Sequence, residues 1–210
     1  MKIEIKPCYR LLDLSSIYNA VQKILGESKA REKFVTQYVK PNSGDRILDI
    51  GCGTARILEH LPLDIDYVGF DQNVNYISEA KRRYGSRGKF YLAEIDDSSL
   101  GVEGKFDIVL ANGVMHHLED SDLESFTRLA RLALKPDGRL ITIDGVYVDE
   151  QNPIARYLIS IDRGKYVRDA KGYEVFFIDQ ENKWKLKQYI HHDLLRVPYT
   201  HLIMECHTTQ

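Results

Sequence analysis

The spacing of apolar positions changes twice along this sequence. Residues 15–26, SSIYNAVQKILG, repeat at helical spacing, open on serines suited to capping a helix and close on a glycine suited to ending one. ESKAREKFVTQYVK follows over 27–40, with Ala30, Phe34, Val35 and Tyr38 on one helical face and Pro41 as its stop. From Arg46 the apolar runs shorten. RILDI (46–50), DYVGFD (66–71), KFYLAEI (89–95), FDIVLAN (106–112) and RLITIDGVYV (139–148) read as strands. Between them TARILEH (54–60), NVNYISEAKRRYG (73–85) and SDLESFTRLARLAL (121–134) read as helices. Asn73 is the expected cap of the second of these, Gly85 lies beyond its end, and Ser121 with Glu124 forms an expected capping box for the third. KPDG (135–138) reads as a turn.

Strands alternating with helices imply βαβ units, so the predicted fold is α/β, a doubly wound, mostly parallel seven-stranded sheet with helices on both faces. After Val148 the alternation breaks. Residues 152–177 mix helical spacing with charge, which suits a substrate-shaping insertion over about 149–175. WKLKQYIHH (184–192) and THLIMECHT (200–208) then alternate as an antiparallel hairpin at the sheet edge. The expected organisation is one domain over 1–210: a helical cap over 1–43, a core over 44–148, the insertion, and a C-terminal hairpin over 176–210.

Composition narrows the function classes. Hydrophobic residues make up 43% and charged residues 29%, and the formal net charge of −2 gives no reason to expect a nucleic acid partner. The basic run Lys81–Lys89 falls at a helix C-terminus, where cations are favoured anyway. No stretch reaches the roughly 20 apolar residues a membrane span needs, and the N-terminus carries no signal-peptide pattern. Cys8, Cys52 and Cys206 are far apart with no CxxC pair, so they read as free thiols and the expected location is cytoplasmic. The expected state is a monomer or homodimer.

The chemistry concentrates where the first strand ends, at Asp49-Ile50-Gly51-Cys52-Gly53-Thr54-Ala55. Ligands of doubly wound sheets bind beyond the carboxyl ends of the strands, and glycines there let backbone approach a ligand closely. The helix start that follows favours an anionic group. Asp71, twenty positions after Gly51, ends the second strand where an acid can accept from a ribose diol. This much suits any adenosine cofactor. A dinucleotide fingerprint needs a third glycine where Arg56 stands, and Asp49 would repel a pyrophosphate. Beside an ammonium or sulfonium the same charge is favourable.

ILDIGCGTARIL (47–58) resembles motif I of the class I S-adenosylmethionine-dependent methyltransferases. YVGFDQN (67–73) resembles their strand-two motif, FDIVLANGVMHHLED (106–120) the strand-four motif of the small-molecule group that includes the ubiquinone and menaquinone methyltransferases, and LKPDGRLITIDG (134–145) the post-helix motif and strand five. The resemblance covers roughly 44–148, departing at Ala55, where many members carry glycine.

The resemblance implies a methyltransferase with S-adenosylmethionine as cofactor and S-adenosylhomocysteine as product. Carried over by position, Asp49, Gly51, Cys52 and Gly53 line the methionine half. Asp71 holds the ribose, Gln72 stands beside the adenine, Glu94 and Ile95 border its ring, and Ala111 and Asn112 lie near the sulfonium. Tyr18, with Tyr9, is expected to close over the cofactor as a lid.

Methyl transfer from a sulfonium is an in-line displacement that needs alignment, and a base only where the acceptor must lose a proton. His117 and His116 are the candidate bases, although the same HHL sequence also suits a loop held by hydrogen bonds. No metal is required; His191 and His192 are adjacent in a strand pattern and face opposite ways. LANG after strand four, in place of an Asp/Asn-Pro-Pro-Tyr/Phe motif, speaks against adenine amino groups or glutamine side chains as acceptors. Tyr157, Arg163 and Tyr166, with Arg156 and Arg168, combine aromatic surface with fixed positive charge, which suits an acidic small molecule, and equally suits surface ion pairs and packing. The expected reaction is methylation of an O or N of a small molecule. The alternatives are a non-catalytic methyltransferase-like scaffold and an NAD(P)-dependent oxidoreductase.

Overall fold

The computed structural model describes residues 27–162, 164–178 and 184–208. The helix expected over 15–26, the lid tyrosines Tyr9 and Tyr18, and Arg163 lie outside the described residues.

The chain enters as helix α1 (Glu27–Phe34), which widens into a π-helical turn over Val35–Val39. The core then runs β1 (Arg46–Ile50), β2 (Asp66–Asp71), α2 (Val74–Tyr84), β3 (Gly88–Leu92), α3 (Asp97–Glu103), β4 (Phe106–Asn112), α4 (Asp120–Ala133) and β5 (Leu134–Gly145). Helices α5 (Pro153–Ser160) and α6 (Ala170–Glu174) occupy the insertion, and β6 (Trp184–His191) and β7 (His201–Thr208) form the hairpin. The seven strands lie in the order β3-β2-β1-β4-β5-β7-β6. Pairs among β1 to β5 are parallel, and β7 is antiparallel to both β5 and β6. The predicted doubly wound sheet with a hairpin edge is therefore the observed one.

Alternation along β1 shows how the sequence builds two cores. Leu48 and Ile50 pack with Val68, Val109, Leu140 and the α4 residues Phe126 and Leu129 on one face. Ile47 packs with Tyr67, Ile108 and Ile141 on the other, under Phe34 and Val39 of the α1 segment and Ile77 of α2. Successive side chains in a strand face opposite ways, so a central strand covered on both faces must be apolar throughout. Asp49 is the exception in β1, on the face of Ile47 and only 2% exposed.

Several local expectations change. The helix expected after β1 is one 3-10 turn, Arg56–Glu59. Ala55 before it sits in the left-handed region at φ 54°, and Gly51 and Gly53 at φ 72° and 55°, so the chain coils as a loop and no full helix terminus faces the strand ends. The capping box is also absent. Helix α4 starts at Asp120, its cap Glu119 makes no side-chain capping bond, and the Ser121 hydroxyl donates to Glu119 at 3.4 Å. Asp120 and Asp122 in the first turn meet the helix dipole instead. KPDG is drawn into the start of β5, opposite a register shift between Phe106 and Ile108. Strand β3 ends at Leu92, so Glu94 and Ile95 lie beyond it, and α3 follows where no helix was predicted. Asn73 does cap α2, its Oδ1 accepting from the amides of Asn75 and Tyr76.

The basic run at the end of α2 is paired. Arg82 and Arg83 both contact Glu79, and Arg87 donates to the carbonyls of Leu58, Leu61 and Pro62. Among the described residues no helix is long and apolar enough to cross a membrane, and no cluster of three or more potential metal ligands occurs.

Candidate active site

Strand order reverses between β1 and β4, and in doubly wound sheets that is where ligands bind. A cavity of about 330 Å³ opens there. Gly51 lines it from the end of β1, Phe70 and Asp71 from β2 with Gln72 just beyond it, Glu94 and Ile95 from the loop after β3, and Gly113, Val114, His117 and Leu118 from the segment after β4.

The glycine loop is fastened to β2. The amides of Gly51 and Cys52 both donate to the Phe70 carbonyl, at 2.8 and 3.0 Å. Asp71 completes the fastening: one carboxylate oxygen accepts from the Gly53 amide at 2.9 Å and the other from the Asn73 amide at 2.8 Å. Burial raises the pKa of Asp71, with these backbone donors pulling the other way. Gly51 is sterically required. A Cβ there would stand 2.7 Å from Val114 Cγ2.

Asp49 lies behind the loop. Its Oδ2 accepts from the Tyr67 hydroxyl at 2.6 Å, while its Oδ1 is buried with no hydrogen-bond partner among the described residues. Burial pushes its pKa up to about 7, against the Tyr67 hydrogen bond and with help from the charge of Asp71. Gln72 Nε2 and Asn112 Oδ1 are likewise buried without partners. A buried carboxylate with one oxygen unpaired and no counter-charge among its described contacts fits a ligand that carries a cation.

The remaining predicted residues divide by position. Cys52 packs into the α1-side core, where burial raises its thiol pKa far above the ordinary value, and Ala111 is fully buried in the opposite core. Neither these two, nor Asp49, Gly53 and Asn112, line the cavity, whereas Gly51, Asp71, Gln72, Glu94 and Ile95 do. Sequence reasoning missed Phe70, Val114, Leu118 and Phe126. Phe70 was legible in principle as the residue preceding Asp71. Phe126 comes from α4, and nothing in its helical spacing marks it apart from its core neighbours.

The two histidines part company. His117 lines the cavity. His116 is buried, its Nδ1 2.7 Å from Asp144 Oδ1, and its own amide donates to the same oxygen at 3.2 Å. Burial depresses the His116 pKa, but the hydrogen bond and charge of Asp144, with Asp162 behind them, raise it above the ordinary value. The two rings lie 4.2 Å apart.

Tyr157 on α5 is 62% exposed, and neither it nor Tyr166 lines the cavity. The Arg168 guanidinium is engaged by Leu118, Asp120 and Tyr166. Arg156 stacks over the Tyr147 ring. His191 meets the Tyr38 hydroxyl and His192 contacts Thr200, so the adjacent pair serves two separate places.

A family model for a methyltransferase domain matches residues 48–140. The chain is similar to N-terminal Xaa-Pro-Lys N-methyltransferase 1-A of Xenopus laevis, 28% identical over 133 residues, covering 59% of this chain and 58% of that protein. It is also similar to a ubiquinone biosynthesis O-methyltransferase of Chelativorans, 36% identical over 102 residues, covering 47% of this chain and 40% of that protein. In both cases the aligned stretch spans less than two thirds of the relative. Among solved structures, a TehB-like SAM-dependent methyltransferase from Corynebacterium glutamicum superimposes with a TM-score of 0.64 at 18% identity, over 93% of this chain and 98% of that one. The ordered motifs, the reversal point of the sheet and the model matched over residues 48–140 point the same way: this part of the chain is similar to a class I, S-adenosylmethionine-dependent methyltransferase domain.

Proposed function

We propose that the protein moves a methyl group from S-adenosylmethionine to an oxygen or nitrogen of a small molecule. The observation that carries the donor half is Asp49, buried beside Asp71, with one oxygen unpaired and its pKa raised to about 7. Such a group is completed by a cation, and a nicotinamide dinucleotide would bring pyrophosphate to the same loop.

When bound, S-adenosylmethionine supplies a methyl group already activated on a sulfonium. The chain's part is to bind, align and dehydrate. Asp49 offsets the positive charge of the methionine half, with Gly51, Cys52 and Gly53 giving a backbone that lets the ligand close. Asp71 accepts from the ribose hydroxyls with lone pairs its two backbone bonds leave free. Gln72, Glu94 and Ile95 border the adenine. His117, at the cavity wall, accepts the acceptor's proton where one must leave. His116 acts through its neighbour, fixed by Asp144, and is a positioning residue.

The small-molecule reading draws on the strand-four motif and on the name of the ubiquinone biosynthesis relative. A second reading, methylation of a protein's N-terminal amine, is favoured by the name of the Xenopus relative. One experiment separates them. Radiolabelled S-adenosylmethionine is incubated with the protein and cell extract, and label is counted in the small-molecule and protein fractions. The reading expects label in small molecules; label confined to protein N-termini establishes the second; and no label in either, with S-adenosylhomocysteine bound, leaves a non-catalytic scaffold.

A further inference from the structure

Residues 164–169 run as a strap across the loop that follows β4. The Tyr166 amide donates to the His116 carbonyl at 3.0 Å, and the Tyr147 amide donates to the Arg168 carbonyl at 3.1 Å. Gly164 lies against His116 so closely that a Cβ would meet its ring at 1.9 Å. Arg168 locks this arrangement. Its Nη2 donates to the Leu118 carbonyl at 3.0 Å and pairs with Asp120 at 2.5 Å, and its Nη1 donates to the Tyr166 carbonyl at 2.8 Å. The guanidinium carbon stands 5.2 Å from the centre of the Phe176 ring and 5.7 Å from that of Tyr173.

The balance of these contacts matters. The Arg168 side chain is 13% exposed while Asp120 is 77% exposed. An ion pair with one partner in water contributes little. The fork on two carbonyls, part-buried at Leu118, and the flanking rings are where a planar guanidinium differs from any other cation. One of the gripped carbonyls belongs to Leu118, and Leu118 and His117 line the cofactor cavity. None of residues 164–169 lines it.

We propose that Arg168 is a positioning residue that holds the His117–Leu118 wall of the cofactor cavity, so that cofactor binding and ordering of the 164–169 strap are coupled. The proposal rests on reading the cavity as the S-adenosylmethionine site. Coupling is reciprocal: a ligand that settles the wall must also steady the strap, and loosening the strap must weaken the ligand.

The test reads both directions on the whole chain, with S-adenosylhomocysteine as probe. Hydrogen exchange follows the peptide spanning the strap, and calorimetry gives the dissociation constant. In the parent, the probe is expected to slow exchange in the strap at least about fivefold, although no strap residue lines the cavity. Arg168→Ala is expected to abolish that protection and weaken binding about 5–10-fold. Arg168→Lys keeps charge beside Asp120 but loses the fork, and is expected to follow Arg168→Ala. Asp120→Asn keeps the Leu118 contact and is expected to bind within about twofold of the parent. Strap exchange unaffected by the probe in a parent that binds it, or Arg168→Lys binding like the parent, overturns the proposal. Should Arg168→Ala fail to fold, Arg168→Lys decides alone. A parent that binds no probe at all overturns the cofactor reading itself, a result visible before any variant is made.

Discussion

The Tyr67 hydroxyl donates to Asp49 Oδ2 at 2.6 Å, with both side chains buried on the same face of the sheet. It satisfies one carboxylate oxygen and leaves the other bare. One hydrogen bond does not repay the desolvation of a carboxylate, so burial dominates and the proton is held up to about pH 7. The protein thus keeps a half-compensated acid behind its glycine loop.

Cofactor affinity is expected to depend on pH through this group. A ligand cation favours the ionised carboxylate, and protons compete with it. S-adenosylmethionine affinity should therefore rise as pH increases toward 7, level off above it, and fall by up to about tenfold per pH unit below it. Calorimetry between pH 5.5 and 8 gives the profile, and Asp49→Asn should flatten it while weakening binding. A flat profile in the parent rules out Asp49 as the counter-charge.

The same substitution is expected to stabilise the ligand-free fold. Asp49 has a folded pKa near 7 against an ordinary 3.8, so the folded state holds the proton more tightly and this group costs stability as pH rises between those values. At pH 8 the full cost is present. Asparagine keeps an acceptor for Tyr67 without the charge. Asp49→Asn should raise Tm at pH 8 by about 4 °C or more and lose that advantage near pH 4. An unchanged or lower Tm at pH 8 contradicts the assignment.

The two loop glycines should respond differently to alanine. Both have left-handed φ, 72° at Gly51 and 55° at Gly53, which costs an L-residue about 1–2 kcal/mol. A Cβ at Gly53 meets open space, whereas one at Gly51 would stand 2.7 Å from Val114 Cγ2. Gly53→Ala should lose about 1 kcal/mol in urea unfolding and keep most S-adenosylhomocysteine affinity, while Gly51→Ala should lose more stability and most binding. Equal losses would mean that the Val114 contact yields without consequence.

What the sequence disclosed and what it hid follow from the range of the interactions. Strand periods and the turn from β1 to β2 are local, so β4 is Phe106–Asn112 as the pattern has it and Asn73 caps its helix. The glycine loop and Asp71 are local too, and both reach the cavity region. The helix after β1 failed because Ala55 adopts a left-handed conformation that its identity does not announce. Asp144 escaped notice because its partner, His116, is 28 residues away and only the β4–β5 pairing brings them together. Arg168 looked like a substrate cation because charge is visible in sequence and the carbonyls that consume it are not.

The histidines provide the last contrast. His116→Ala would leave Asp144, 1% exposed, with Oδ1 stripped of its ring partner and Oδ2 already unpaired. Removing one member of a buried pair costs about 3–5 kcal/mol, so this variant should melt far below the parent. The loss should also depend on pH. His116 has a raised folded pKa, so the stability its charge contributes is complete below its ordinary value of 6.5 and disappears as pH rises through the raised one. His117 is expected to behave in the opposite sense. It lines the cavity, so His117→Ala should fold near the parent's stability, bind S-adenosylhomocysteine within about threefold, and lose about 10²–10⁴ in kcat for an acceptor that must be deprotonated. Thermal melts and single-turnover methyl transfer on the two variants check the pair together. A His117→Ala enzyme with parental kcat would leave alignment alone, without a histidine base, as the source of the rate.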